Sequence, residues 1–267
     1  MPLTFATWNI NSVRLRRPMI EEFLTVFKPD VLCLQEIKCT NEQFPEAEFA
    51  AAGYPFQAVN GQKAYHGVAT ISRMPLTHIE ARRFCEIEDS RHVSAQIDYG
   101  RGPVTIHNFY VPAGGDEADP ETNPKFKHKL GFLAEMQDWF DSKDFASSQL
   151  IAGDFNIAPH ENDVWSHKQL LKVVSHTPVE TEALERLQSR RNWVDLVRKH
   201  IPHENKLYSW WSYRAKDWDA SDRGRRLDHI WSTPDVAAHS ISSDVIRPAR
   251  GWTEKPSDHV PVITRIA

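Results

Sequence analysis

Leu150-Ile151-Ala152-Gly153-Asp154-Phe155-Asn156 is the stretch on which the reading of this chain turns. Its apolar start reads as a buried strand, and the strand stops at an aspartate and an asparagine. Ser257-Asp258-His259 has the complementary form, because there the polar residues come first and Val260-Pro261-Val262-Ile263 follows. Two acids, an amide and an imidazole at strand ends suit metal-assisted cleavage of a phosphoester. Carboxylates hold a divalent cation and deprotonate water, an amide donates to a developing oxyanion, and an imidazole contacts phosphoryl oxygens.

Two further segments have the same design. Leu3-Thr4-Phe5-Ala6 runs into Thr7-Trp8-Asn9-Ile10-Asn11, and Val31-Leu32-Cys33-Leu34 stops at Gln35-Glu36. A carboxylate directly after a buried run sits at the mouth of a sheet, where a hard cation such as Mg²⁺ can be held by oxygen. Strand-like runs recur at 3–8, 31–34, 67–72, 93–98, 104–111, 149–153, 227–232, 241–247 and 260–266. Helical patterns fall near 15–27, 41–52, 125–141 and 178–190. The last begins with Thr177, Pro178 and Glu180, an N-cap, a first-turn proline and the acid of a capping box. Strands mixed with helices along the whole length predict a layered α/β fold.

In order and rough spacing, Trp8-Asn9-Ile10-Asn11, Leu34-Gln35-Glu36, Asn108-Phe109-Tyr110-Val111-Pro112, Gly153-Asp154-Phe155-Asn156, Arg226-Leu227-Asp228 and Ser257-Asp258-His259 resemble the exonuclease III family of abasic-site endonucleases and 3′-exonucleases. The resemblance spans residues 4 to about 265. It implies a four-layer αββα sandwich, two packed mixed β-sheets flanked by helices, forming a single catalytic domain over residues 1–267. It further implies Mg²⁺-dependent hydrolysis of duplex DNA, with Mn²⁺ as a substitute, leaving 3′-hydroxyl and 5′-phosphate ends. The expected substrates are abasic sites and blocked 3′ ends, and the expected form is a monomer.

Carried onto this chain, the resemblance makes Glu36 the direct metal ligand, with Asp258 completing the shell. Asn9 either touches that shell or orients Asp154. Asp154 is the expected general base, and Asn156, two residues on in an extended segment, is expected to point the same way and donate to the phosphoryl oxygen. Asp154 and Asn156 are also candidate ligands of a second metal. His259 is either the base or an imidazolium that binds the phosphate. A bond to Asp228 would raise its pKa and favour the second role. Tyr110 is expected beside the phosphate or the leaving oxygen. Asn11 stands where some relatives carry an acid, and Ala113 where an amide is common. Trp210 and Leu227 correspond to the walls of an abasic-sugar pocket, while Arg225 falls where relatives are often apolar or aromatic. Arg91, Lys125, Arg214 and Arg223 are the remaining candidates for backbone contacts.

The net charge of −4 argues mildly against a nucleic-acid partner, but the charge is locally uneven. Arg214, Lys216, Arg223, Arg225 and Arg226 share a segment with Trp210, Trp211 and Trp218, and that mixture suits a phosphate backbone beside an unstacked nucleotide. Loops at 112–124 and 212–226 are the expected grips on substrate. Three cysteines without a Cys-x-x-Cys pair make a disulfide framework or zinc ribbon unexpected. No apolar run approaches the ~20 residues that span a bilayer, and the first residues lack the pattern of a signal peptide. A cytoplasmic protein without a membrane partner is expected. The competing readings are a related phosphodiesterase acting on a lipid or small phosphoester, and a catalytically silent nucleic-acid-binding regulator. Retention of so many acids facing phosphate disfavours the second.

Overall fold

The computed structural model describes residues 2–142 and 147–267. Its strands are, in chain order, β1 (Leu3–Asn9), β2 (Val31–Gln35), β3 (Phe56–Asn60), β4 (Val68–Ser72), β5 (Thr77–Glu80), β6 (His92–Asp98) and β7 (Pro103–Tyr110). There follow β8 (Ser148–Asp154), β9 (Val194–Asp195), β10 (Trp210–Trp211), β11 (Gly224–Arg225), β12 (Asp228–Ser232), β13 (Ser240–Val245) and β14 (Val262–Ile266). Two six-stranded mixed sheets result, ordered β13-β14-β1-β2-β4-β3 and β5-β6-β7-β8-β12-β9, with β10 and β11 forming a separate ribbon. The parallel pairs are β1 with β2 and β7 with β8.

The sheets lie face to face because their strands are apolar on both sides. Leu3 and Phe5 of β1 point inward to the cluster of Ile106, Leu150, Ala152 and Ile230 from the second sheet. The intervening Ala6 and Trp8 point outward into Met19, Ile20, Phe23 and Leu24 of α1 (Arg17–Phe27). The outer face of the second sheet is covered by α3 (Pro124–Ser142) and, after the short α4 (His167–Leu170), by α5 (Pro178–Arg190), through Phe132, Leu133, Met136, Leu184 and Leu187. Helix, sheet, sheet, helix is the four-layer order expected from the sequence.

The shared interior becomes polar toward one end. Gln35 Nε2 donates to Thr7 Oγ1 at 2.9 Å and to Asn108 Oδ1 in the opposite sheet at 2.8 Å. Asn108 Nδ2 in turn donates to the carbonyls of Leu34 (3.2 Å) and Ala69 (3.0 Å). All these groups are buried, so the bonds bind sheet to sheet where unpaired amides would be costly. Gly153 marks the closest backbone approach in the second sheet. A Cβ there would lie 1.9 Å from the Phe109 carbonyl oxygen, so no other residue fits.

Three details differ from the sequence expectations. The helix expected over 41–52 is split by Pro45 into a 3₁₀ turn, Asn41–Gln43, and α2, Glu46–Ala51, since proline offers no N–H to continue the first segment. Strands β3 and β5 were not anticipated. Both are edge strands with much of their surface in water, so they carry no unbroken apolar run. The 212–226 loop contains one helical turn, Trp218–Ser221, and ends in the β10–β11 ribbon.

Burial also leaves several histidines neutral. Burial, with Arg226 nearby, pushes His229 down to about 3, and burial lowers His92 well below its ordinary value. Unfolding exposes these rings, which then take up protons below about pH 6.5. The unfolded state therefore gains protons first, and stability should fall as pH drops from 6.5 toward 3. His229 by itself should account for about 2 kcal/mol of that loss by pH 5. Urea unfolding at pH 7 and pH 5 should show a smaller pH-dependent loss in His229→Gln than in the wild-type protein. Equal losses in both would place the acid sensitivity elsewhere.

Candidate active site

The polar end of the interior is where the sequence-predicted residues meet. Asn9 ends β1, Glu36 follows β2, and Tyr110 and Asp154 end β7 and β8 side by side in register. Asp228 opens β12 directly opposite Asp154. Ser257-Asp258-His259 enters just before β14 and is fastened to β1, because Ser257 Oγ donates to the Asn9 carbonyl at 2.7 Å and Trp8 Nε1 to the His259 carbonyl at 3.0 Å. Parallel strands end here and their antiparallel neighbours begin here, so six segments contribute to one rim.

His259 is the electrostatic centre. Its Nδ1 lies 2.8 Å from Asp228 Oδ2, and its Nε2 lies 3.6 Å from Asp154 Oδ2. Burial alone would lower the imidazole pKa, but the carboxylates of Asp228 and Asp154 outweigh it and raise His259 to about 10. Burial has the opposite consequence for Asp154, which rises to about 7 with the His259 charge opposing and Asp228 reinforcing the shift. Ser209 Oγ donates to Asp228 Oδ2 at 2.6 Å, so that carboxylate is held from two sides. Ligand atoms of Asp154, Asp228 and His259 all lie within 4.8 Å of one another. The Asp228 oxygen facing the ring is engaged by Ser209 and Nδ1, while its other oxygen is buried without a hydrogen-bond partner.

A second cluster adjoins the first. Asn9 Nδ2 donates to Glu36 Oε1 at 3.0 Å and to Asp154 Oδ2 at 2.9 Å. Asn9 thus joins the two carboxylates through its donor end, while its oxygen accepts from the Asn11 N–H at 3.1 Å. Burial would raise the Glu36 pKa, but Lys38 and Asn9 lower it below its ordinary value. Lys38 Nζ lies 2.8 Å from Glu36 Oε2 and 2.5 Å from Asn11 Oδ1. Asn11 Nδ2 donates to Asp258 Oδ1 at 3.0 Å, and Trp210 Nε1 donates to Asp258 Oδ2 at 2.9 Å. Asn11, Glu36, Lys38 and Asn156 all have positive φ, the strained backbone that concentrates at functional sites.

The structure corrects the sequence expectations for Asn156, Arg91 and Arg226, and it places Tyr110 and Lys125. Asn156 is not in an extended segment. With φ at +54° it turns back, and its Nδ2 donates to the Val111 carbonyl at 2.9 Å and to Asp154 Oδ2 at 3.2 Å. Tyr110 donates its hydroxyl to Glu36 Oε1 at 2.9 Å, and burial next to Glu36 and Asp154 keeps that hydroxyl protonated. Arg91 is not on a DNA-facing surface. It is buried, pairs with Asp89, and lies over the Tyr110 ring at 4.8 Å. Arg226 leaves the basic segment for the interior, where it pairs with Asp163 and Asp195. Lys125 is exposed and lies outside the lining of the main cavity.

Above the rim opens a cavity of about 1120 Å³. Glu36, Asn156, Asp258 and His259 lie on its wall with Trp210, Leu227, Arg214, Arg223 and Arg225. Lys38, Ser209 and Lys129 had not been singled out from the sequence. Lys129 is fully buried, pairs with Glu180 and donates to the Asn156 carbonyl at 2.8 Å. A lysine within the apolar face of α3 was its available signal.

The sequence profile of the endonuclease/exonuclease/phosphatase family matches residues 6–259. The chain belongs to that family. It is 33% identical to exodeoxyribonuclease III of Haemophilus influenzae, over 97% of this chain and 98% of that one. An AP endonuclease from Archaeoglobus fulgidus superposes with a TM-score of 0.89 at 31% identity, covering 99% of each chain. A Neisseria 3′ phosphatase solved with a product DNA hairpin superposes with a TM-score of 0.89 at 28% identity, again over 99% of each. The four-layer architecture is therefore the one this family's members share.

The Asp228–His259 bond makes a measurable prediction in metal-free protein. Asp228→Asn removes a carboxylate that raises the ring's pKa, so the His259 titration midpoint should fall by at least about one unit. NMR titration of the imidazole in both proteins tests this. An unchanged midpoint would assign the elevation to Asp154.

Proposed function

We propose that the chain is a Mg²⁺-dependent DNA-repair nuclease with 3′-5′ exonuclease and abasic-site endonuclease activity, leaving 3′-hydroxyl and 5′-phosphate ends. The observation that carries this reading is that Glu36 and His259 line a cavity together with arginines and tryptophans, with Asp154 and Asp228 buried directly behind His259 and bonded or close to its ring. The named activities of the relatives support the choice of DNA.

The residues fit a divalent cation. Glu36 and Asp258 offer hard oxygens at the cavity wall, and the Lys38 ammonium already rests against Glu36 Oε2. When bound, Mg²⁺, or Mn²⁺ in its place, supplies Lewis-acid polarisation of a phosphoryl oxygen. The rest falls to the protein. Asp154 takes the proton of the attacking water, and its elevated pKa keeps it near the operating pH. The His259 imidazolium binds a non-bridging oxygen, and Asp228 holds it in place. Asn9 fixes the spacing of Asp154 and Glu36, and Asn156 holds the Asp154 carboxylate in orientation. Trp210 and Leu227 wall the seat of the nucleotide sugar. The reading includes one catalytic unit spanning residues 1–267, acting as a monomer in the cytoplasm. The free cysteines suit a reducing compartment. No helix among the described residues is long and apolar enough to cross a membrane.

A fluorescent duplex with one abasic site should be cut in Mg²⁺ and left intact in EDTA. Asp154→Asn should slow single-turnover cleavage by about 10² to 10⁴-fold while retaining duplex affinity. A rate within tenfold of wild type would exclude Asp154 as the base and leave His259 in that role.

Arg214 and Arg223 are exposed at the cavity. Their loss should weaken every duplex substrate to a similar degree and reduce the slope of log affinity against log salt by about one per residue, since phosphate contacts carry no sequence information. Binding isotherms across a salt series check both parts. A substrate-selective loss would mean that these arginines read more than phosphate.

A further inference from the structure

Arg225 is set into the cavity wall in an unusual electrostatic position. It pairs in register with Trp210 across the ribbon, and its guanidinium lies over the indole at 5.3 Å. That same indole donates to Asp258, which puts Arg225 one ring away from the catalytic rim. One nitrogen, Nη1, is anchored to the Val174 carbonyl at 3.0 Å and to Ser175 Oγ at 2.7 Å. Nε is buried without a partner. The carboxylate whose field reaches it is Glu180, and that carboxylate is engaged by Lys129. Among the described residues Arg225 is a half-buried cation fixed by neutral groups, on the wall of the cavity that receives substrate.

A guanidinium so placed retains most of its attraction for an anion, because low local polarity strengthens charge-assisted bonds and its anchor has already restricted its rotamers. A neutral sugar gains less from such a neighbour than an anion does. An anionic group seated beside the reacting phosphate gains considerably.

We propose that Arg225 is a specificity-determining residue that selects substrates whose excised fragment carries a second negative charge. This rests on the nuclease reading above. In that reaction water adds to phosphorus, the P–O3′ bond breaks, the upstream strand leaves as a 3′-hydroxyl, and the fragment departs as a phosphomonoester. The second charge can be a carboxylate on a terminal blocking group or the next phosphodiester of a continuing strand.

Two matched pairs of duplexes distinguish these sources. In the first, the 3′-terminal phosphate bears either a carboxymethyl or a 2-hydroxyethyl group, close in size but different in charge. In the second, an internal abasic site is followed by a normal phosphodiester or by an uncharged methylphosphonate. The wild-type enzyme should process the charged member about tenfold faster or more, by kcat/KM, in at least one pair. Arg225→Leu should bring that ratio close to one, and Arg225→Lys should restore part of it. Selectivity in the first pair alone assigns the role to terminal carboxylates, and selectivity in the second alone assigns it to the continuing strand. A merely structural arginine, bracing Trp210 and the Val174–Ser175 segment, would slow both members equally and leave the ratio unchanged. Ratios near one in the wild type, or ratios indifferent to Arg225→Leu, overturn the proposal. Failure of the wild type to cut any of the four duplexes would instead overturn the nuclease reading.

Discussion

The pleat phase of the two inner sheet faces is the constraint on which everything else depends. Successive residues of a strand alternate between faces, so the inward set is Leu3, Phe5, Thr7 and Asn9 in β1, and Val31, Cys33 and Gln35 in β2. In the opposite sheet it is Val104, Ile106, Asn108 and Tyr110, then Leu150, Ala152 and Asp154. Each series begins in the apolar core and ends in a group that can hydrogen-bond or ionise. The same alternation that buries the core therefore delivers the functional side chains to one edge. A one-residue slip in any strand would exchange its inward and outward sets, hiding a catalytic group and exposing core. The Thr7–Gln35–Asn108 bonds oppose such a slip, because they are satisfied in only one register of sheet on sheet.

Placing several acids at a buried edge has an electrostatic consequence. Asp154 and Asp228 are both almost wholly inaccessible to water, and two ionised carboxylates there would repel strongly. His259 lies between them and relieves this by remaining a cation well above its ordinary titration range. Glu36 is separated from that cluster by Asn9 and has its own cation in Lys38. One rim thus contains two units in which carboxylates are held against a cation. One unit keeps its charge inside hydrogen bonds. The other presents it to the cavity, where an incoming ion or phosphate can compete for it.

How much of this was legible in sequence follows from where each residue gets its partners. Strand ends that interrupt apolar runs make Asn9, Glu36, Asp154 and Asp258-His259 visible, the family motifs add Tyr110 and Asp228, and all of these converge. Edge strands β3 and β5 were not visible, since their stability comes from one neighbour and they need no apolar run. The orientation of Asn156 was misjudged because a left-handed residue breaks the period-two rule at that point. Arg91 and Arg226 were misjudged for another reason. Charge in a sequence suggests surface, whereas these guanidiniums are buried against acids distant along the chain. Lys129 was missed by the same reasoning, although it ties α5 to the Asn156 turn.

The division of labour between sheets and loops bears on how substrate choice can vary while chemistry stays fixed. The catalytic floor consists of strand ends locked by two sheets, and a change there disturbs the core. The opposite wall comes from the segment around Trp165 and Val173–Ser175 and from the β10–β11 ribbon. That wall is joined to the floor by the bridge between Trp210 and His259, by the Trp211 N–H to the Asp258 carbonyl, and by the bond from Trp210 to Asp258. A residue at position 225 therefore alters the cavity without touching Asp154 or His259. Arginine there adds a cation held over Trp210 by groups that belong to the wall alone. The make-up of this wall can thus change independently of Asp154, His259 and the carboxylates beneath it.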